Sequence, residues 1–152
     1  MKNENKRRDI EILLVEANYP DVRLVQEYFK DERMINHKLY IVNTGLEAIK
    51  FLRKEGQYID VPTPDLILLD LFLPTMDGWT VLKEIRSDSK FKDNLICLMT
   101  STESDAEYFN LEKQNAIFFV LKPVDVEKFL NLITKAEEYL PEELRIFSPK
   151  NL

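Results

Sequence analysis

The sequence lacks most features that would hold or anchor a chain by means other than a hydrophobic core. It has 152 residues and a single cysteine, Cys97, so an internal disulfide is excluded. No apolar run reaches the roughly 18–20 residues of a membrane span, and the N-terminus has no signal-peptide core. Acidic residues outnumber basic ones, 27 to 21, and the net charge of −6 argues against a nucleic-acid partner. We therefore expect a cytoplasmic protein without a membrane or nucleic-acid partner.

The apolar residues fall into a repeating order. Hydrophobic residues make up 45% of the chain and charged residues 32%, a balance typical of a globular domain. Five short apolar runs alternate with amphipathic stretches, which predicts an α/β fold with a five-stranded parallel sheet and helices on both faces. The predicted strands are Ile10–Val15, Leu39–Val42, Leu66–Leu69, Leu95–Met99 and Ile117–Leu121.

Helical periods occupy the segments between these strands. Helices are predicted after Pro20-Asp21, after Thr44, after Asp77-Gly78, over a short segment at 104–114, and over Phe129–Leu140. The organisation is then a flexible arm at 1–8, one domain at 9–140 and a tail at 141–152. His37, the only histidine, is predicted to lie on a surface loop before the second strand, so histidine catalysis is not expected.

Polar side chains follow four of the five predicted strands. Glu16 comes after the first strand, Asp70 after the third, Thr100 and Ser101 after the fourth and Lys122 after the fifth, and the spacing favours Thr100 over Ser101 as the hydroxyl of the site. Parallel sheets place their chemistry outside the carboxyl ends of the strands, so these groups are expected to converge. An aspartate nucleophile, an acid for Mg²⁺, and a hydroxyl and an ammonium for phosphoryl oxygens together form a phosphoryl-accepting site.

Four ordered motifs resemble a known family. The chain resembles the receiver domain of two-component response regulators in Leu13-Leu14-Val15-Glu16, in Pro64–Asp70 with Leu73-Pro74-x-x-Asp77-Gly78, in Leu98-Met99-Thr100-Ser101 and in Lys122-Pro123. The spacing of Asp70, Thr100 and Lys122 agrees with that family. The loop Gly56–Pro64 and the segment Asp77–Arg86 look most like the single-domain subfamily that serves phytochrome-type histidine kinases.

The resemblance implies a fold and a role for each residue. The fold would be flavodoxin-like (βα)5 with strand order 2-1-3-4-5. Asp70 would be the phospho-acceptor, Lys122 would pair with the phosphoryl group, and Thr100 would move to bond it. Phe119 falls at the aromatic switch position, and Glu16, Asp70 and the backbone carbonyl of Phe72 would hold Mg²⁺. The family also commonly has a cis bond before the proline of Lys122-Pro123.

One position departs from the family pattern. The family has two acids after the first strand, and the second is a direct Mg²⁺ ligand, whereas this chain has Glu16-Ala17. Magnesium requires oxygen ligands in near-octahedral geometry. We therefore expect weak Mg²⁺ binding and slow phosphotransfer to Asp70. Phe119 also lacks a side-chain hydroxyl, so its ring cannot form a hydrogen bond with a partner when it moves.

Two functions are consistent with these residues. The first is a stand-alone receiver, not an enzyme beyond its own phosphorylation, that takes a phosphoryl group from a sensor histidine kinase and signals to a downstream protein or phosphotransfer partner. The alternative is a pseudo-receiver, a phosphorylation-independent interaction module, for which Ala17 is the supporting feature. A homodimer is implied through the face of segment 104–114, the fifth strand and the last helix. An aspartyl-phosphate hydrolase would need a second aspartate where Phe72 stands.

Overall fold

The chain folds around a five-stranded parallel sheet with helices on both faces. The computed structural model describes residues 8–102 and 116–145. The strands are β1 (Ile10–Val15), β2 (His37–Val42), β3 (Leu66–Asp70), β4 (Leu95–Thr100) and β5 (Ile117–Leu121). Every neighbouring pair is parallel and the order is β2-β1-β3-β4-β5, which confirms the predicted fold class.

The helices in the described part of the chain are α1 (Tyr19–Tyr28), α2 (Gly45–Arg53), α3 (Gly78–Ser87) and α4 (Val126–Lys135). Short 3₁₀ helices cover Gly56–Tyr58, Glu137–Tyr139 and Glu142–Leu144. The predicted helix at 104–114 lies outside the described residues, so it stays a prediction. Among the described helices, none has the length and apolar character required to cross a membrane.

The sheet separates two hydrophobic clusters. Alternate side chains of a strand point to opposite faces, so Leu13 and Ile67 pack with α2 and α3, while Leu14 and Leu68 pack with α1 and α4. Both faces of the central strands are therefore covered, and every residue of β3 and β4 is buried. This explains why their sequences are continuously apolar rather than alternating. Cys97 is fully buried on β4, and burial raises the pKa of its thiol.

Side-chain caps place the start of each helix at the carboxyl edge of the sheet. The side-chain oxygens of four residues accept a hydrogen bond from a backbone N–H three residues later; they are Asn18, Thr44, Asp77 and Asp125. The last helix is shorter than predicted. Its apolar stripe was expected to run to Leu140, but α4 ends at Lys135 and the chain tightens into a 3₁₀ turn that buries Leu140 outside the helix.

The prediction for His37 is wrong. Strand β2 begins at this residue, two positions earlier than expected. The imidazole Nδ1 lies 2.9 Å from the carbonyl oxygen of Ile35, and the ring meets Phe29 edge to face at 5.4 Å between centroids. His37 is therefore a half-buried packing residue of the sheet edge, and its polar neighbours in sequence concealed this.

The two ends of the described chain meet at the amino edge of the sheet. The guanidinium of Arg8 pairs with Asp65 and with Glu143, each at 2.9 Å. Leu144 is buried in the cluster beneath α1 and α4. The residues that flank the predicted 9–140 domain on both sides thus contact it directly, while residues 1–7 and 146–152 lie outside the described part.

Candidate functional site

The carboxyl edge of the sheet holds one lysine surrounded by three carboxylates. Glu16 directly follows β1, Asp70 ends β3, and Lys122 directly follows β5. The Lys122 ammonium Nζ lies 3.2 Å from Glu16 Oε1, 3.1 Å from Asp70 Oδ2 and 2.9 Å from Asp21 Oδ2. Asp21 reaches this point from the first turn of α1. The fold therefore gathers groups that are far apart in sequence into one ionic cluster.

The members of this cluster differ sharply in exposure. The side chains of Glu16 and Asp70 are 1% and 3% exposed, that of Lys122 is 15% exposed, and that of Asp21 is 31% exposed. Burial raises the pKa of Glu16 to about 7, and the neighbouring Asp70 carboxylate adds to the shift. The close approach of Glu16 and Asp70 therefore depends on the cation that lies between them.

Lys122 remains a cation in this setting. Burial by itself lowers the pKa of a lysine, but the hydrogen bond to Asp21 and the charges of Asp70 and Glu16 outweigh it, so the pKa lies above its ordinary value. The loop that carries the lysine is also fixed. The peptide bond Lys122-Pro123 is cis, in agreement with the resemblance, and the ammonium of Lys128 donates to the carbonyls of Leu121 and Pro123.

Asp70 is held by both of its oxygens. Oδ2 faces the lysine, and Oδ1 accepts a hydrogen bond of 3.1 Å from the backbone N–H of Phe72. The Phe72 side chain itself extends into solvent. Asp70 therefore sits at the floor of the site with its carboxylate oriented by the turn that follows β3.

The turn after β3 folds back tightly on the strand end. The N–H of Gly78 donates to the carbonyl of Leu71 at 2.9 Å. A Cβ atom at Gly78 would collide with the carbonyl oxygen of Asp70 and would lie 2.7 Å from the Cα of Leu71. The glycine of the Asp77-Gly78 motif is thus required by close backbone approach, because α3 begins directly against Asp70 and Leu71.

Thr100 ends β4 at the same edge and is fully buried. Its carbonyl accepts the backbone N–H of Lys122 at 2.8 Å, and its hydroxyl oxygen accepts the N–H of Thr102 at 3.3 Å.

Phe119 is half-buried on β5, and its ring lies 6.4 Å from that of Trp79, edge to face. Trp79 is half-buried at the start of α3.

The oxygen donors that could hold a metal are those predicted: Glu16, Asp70 and the carbonyl of Phe72. Hard oxygen ligands fit Mg²⁺ in type. Glu16, however, uses Oε1 for Lys122 and Oε2 for the N–H of Asn18, and Ala17 offers only a methyl group. Within residues 8–102 and 116–145 there is no group of three ligating side chains arranged for a metal ion. These oxygen donors suit Mg²⁺ in type, but the protein supplies fewer of them than an octahedral ion takes.

Asp21 is the member of the site that sequence reasoning missed. An acid directly after a proline in a first helical turn is typical of a favourable helix opening, and that interpretation accounts for Pro20-Asp21. Its second role depends on α1 placing its first turn beside the loop after β5. One signal was available in the sequence. Asp21 is the next acidic residue after Glu16 and lies four residues beyond Ala17, where the family has a carboxylate.

Comparison with known proteins decides the family. A model of the response regulator receiver domain matches residues 12–134. The chain belongs to the response regulator receiver family. This receiver is 33% identical to the response regulator Rcp1 of Synechocystis over 135 residues, which cover 89% of this chain and 91% of Rcp1.

Solved structures agree with this assignment. The phosphorylated cyanobacterial phytochrome response regulator RcpA is 31% identical with a TM-score of 0.70, covering 93% of this receiver and 100% of RcpA. The bacteriophytochrome response regulator RtBRR is 26% identical with a TM-score of 0.73, covering 93% and 81%. The Mn²⁺-bound form of Rcp1 is 34% identical with a TM-score of 0.67, covering 87% and 99%. The resemblance found in the sequence is confirmed.

We predict that Gly78→Ala destabilises the receiver and displaces the turn that carries Asp70. The added methyl meets backbone rather than a movable side chain, so we expect a loss of about 2–3 kcal/mol in the free energy of unfolding, measured by urea titration. The matched control is Gly56→Ala, where the φ of +58° strains an alanine but nothing lies within 4 Å. Equal losses of about 1 kcal/mol in both variants would contradict the close approach.

Proposed function

We propose that this receiver accepts a phosphoryl group on Asp70 from a sensor histidine kinase and signals through an interaction surface that changes with phosphorylation. The observation that carries the proposal is the 3.1 Å contact between the Asp70 carboxylate and the Lys122 ammonium at the carboxyl edge of the sheet. A carboxylate poised beside a fixed cation is suited to receive a dianionic group. The family to which the chain belongs supports this role.

The transfer requires little of the protein beyond positioning. A carboxylate oxygen of Asp70 attacks the phosphorus, a new O–P bond forms, and the bond between phosphorus and the donor atom breaks with its electron pair leaving on the donor. The N–H of Phe72 orients the carboxylate, and Lys122 offers its charge to the phosphoryl oxygens. Thr100, buried at the end of the adjacent β4, is the proposed hydroxyl partner. A bound Mg²⁺ would neutralise part of the phosphoryl charge.

The metal is expected to bind weakly. Glu16, Asp70 and the Phe72 carbonyl would have to hold Mg²⁺ without the carboxylate that Ala17 lacks. Divalent metal binding is seen in the Mn²⁺-bound form of Rcp1, which supports a metal role at this site. Since fewer protein charges face the ion here, more of its shell would remain water.

We predict that Ala17→Asp tightens Mg²⁺ binding at least about tenfold, measured by calorimetric titration of the purified chain. The added carboxylate directly follows Glu16 at the carboxyl end of β1. Asn131→Asp, on the exposed face of α4, adds the same charge away from the site and should leave the dissociation constant unchanged. If Ala17→Asp binds Mg²⁺ no more tightly than the wild type, the missing ligand is not what limits the metal site.

A pseudo-receiver is the second candidate, and two observations favour it. Ala17 removes a metal ligand, and the Lys122 ammonium is already engaged by three carboxylates. In that case the chain would bind its partner through the same fold regardless of Asp70. Partner binding would then be unaffected by Asp70→Asn.

The proposed partners follow from the similar proteins. RcpA and RtBRR are phytochrome and bacteriophytochrome response regulators, which supports a phytochrome-like sensor kinase as the phosphoryl donor. The signal would pass to a downstream protein or a further phosphotransfer partner, and a homodimer would use the face around β5 and α4. Phe119, packed against Trp79, is the proposed switch residue of that face. We propose no enzymatic activity beyond the chain's own phosphorylation.

The proposal is tested by incubating the purified chain with Mg²⁺ and acetyl phosphate or a sensor kinase, then resolving the product on a phosphate-affinity gel. We expect a shifted, acid-stable and base-labile band that disappears in Asp70→Asn. Asp60→Asn, in the exposed loop before β3, is the matched control and should keep the band. A chain that shows no Asp70-dependent band with either donor is the pseudo-receiver.

A further inference from the structure

Every N–H of the Lys122 ammonium already has a carboxylate partner. An ammonium carries three donors, and Glu16, Asp21 and Asp70 each lie within 3.2 Å of it. A phosphoryl oxygen on Asp70 can therefore bond to Lys122 only when one of these partners gives way. The question is which of the three is released at the lowest cost.

Exposure identifies the partner that can leave. The side chains of Glu16 and Asp70 are nearly inaccessible to water, so separating either from the cation would leave a buried charge unpaired. The Asp21 side chain is 31% exposed and can be rehydrated where it stands. Asp70 can keep its Oδ2 contact with the ammonium when the phosphoryl group is attached through Oδ1.

The hydrogen bonds of the carboxylates also identify Asp21 as the partner that can leave the lysine. Glu16 is fixed by its second oxygen, which accepts the N–H of Asn18 at 3.1 Å. For Asp21 the backbone N–H is bound to the Asn18 side chain, but the carboxylate is not needed as the cap of α1. The helix can begin at the same residue whether or not Asp21 holds the lysine.

We propose that Asp21 is a competing partner that holds Lys122 in the resting receiver and is displaced by the phosphoryl group. This proposal rests on the proposed function. Asp21 is then a positioning residue that acts through Lys122 and sets the affinity of the site for a phosphoryl group. Without its charge, one N–H of the ammonium is held more weakly and one anion fewer faces the incoming dianion.

The competing account is that Asp21 supplies the metal carboxylate missing at Ala17. The geometry favours the lysine, because Asp21 Oδ2 lies 2.9 Å from Nζ and no three ligating side chains are grouped for a metal among the described residues. The two accounts predict opposite effects of the same substitution, which makes them separable.

The test is Asp21→Asn, with the dissociation constant for beryllofluoride in the presence of Mg²⁺ read from the fluorescence of Trp79, the only tryptophan. A partly exposed ion pair contributes up to about fivefold to an equilibrium constant, so we expect the variant to bind the mimic about fivefold more tightly. Asp21→Glu, which restores the charge, should return toward the wild type. Glu27→Gln, an exposed acid on the same helix, is the matched charge control and should have no effect.

Each other outcome overturns the inference. Unchanged affinity in Asp21→Asn means that the pair with Lys122 does not compete. Weaker binding of the mimic together with weaker binding of Mg²⁺ alone assigns Asp21 to the metal. If wild type and variant both fail to bind the mimic, the proposed function falls and this inference with it. Urea unfolding of all four chains confirms that the comparison is between folded proteins.

Discussion

The ammonium of Lys122 is the group around which the carboxyl edge of this receiver is arranged. It pairs with the carboxylates of Glu16 after β1, Asp21 in α1 and Asp70 at the end of β3. Two of these carboxylates are buried, and buried anions persist only where a cation or hydrogen bonds compensate the loss of water. The loop after β5, whose Leu121 and Pro123 carbonyls accept hydrogen bonds from Lys128, therefore holds the cation on which the buried carboxylates depend.

The same arrangement explains the unusual character of the site. Under the proposed function, Ala17 would leave Mg²⁺ without one carboxylate ligand, and Asp21 would compete with the phosphoryl group for Lys122. Both would restrain phosphorylation of Asp70 in the resting receiver, so the proposed site lies between an active acceptor and a pure interaction module.

Much of the fold followed from patterns that depend on short stretches of chain. Short apolar runs located β1 and β5 to the residue. Strands β3 and β4, covered on both faces, are continuously apolar and were located to within one residue. The meeting of Asp70 and Lys122 could also be predicted from the sequence, since strand ends in a parallel sheet meet at one edge. The roles of His37 and Asp21 could not be predicted. His37 packs against Phe29, and Asp21 pairs with Lys122, only when α1 docks on the sheet.

The measurement that tests this account most directly is the free energy of unfolding of Lys122→Met, which keeps the length of the side chain and removes its charge. If the ammonium compensates the buried carboxylates, the variant should lose about 3 kcal/mol at neutral pH, and adding Glu16→Gln and Asp70→Asn should restore most of that loss. A Lys122→Met chain as stable as the wild type would contradict the account, since the carboxylates would then need no cation to remain buried.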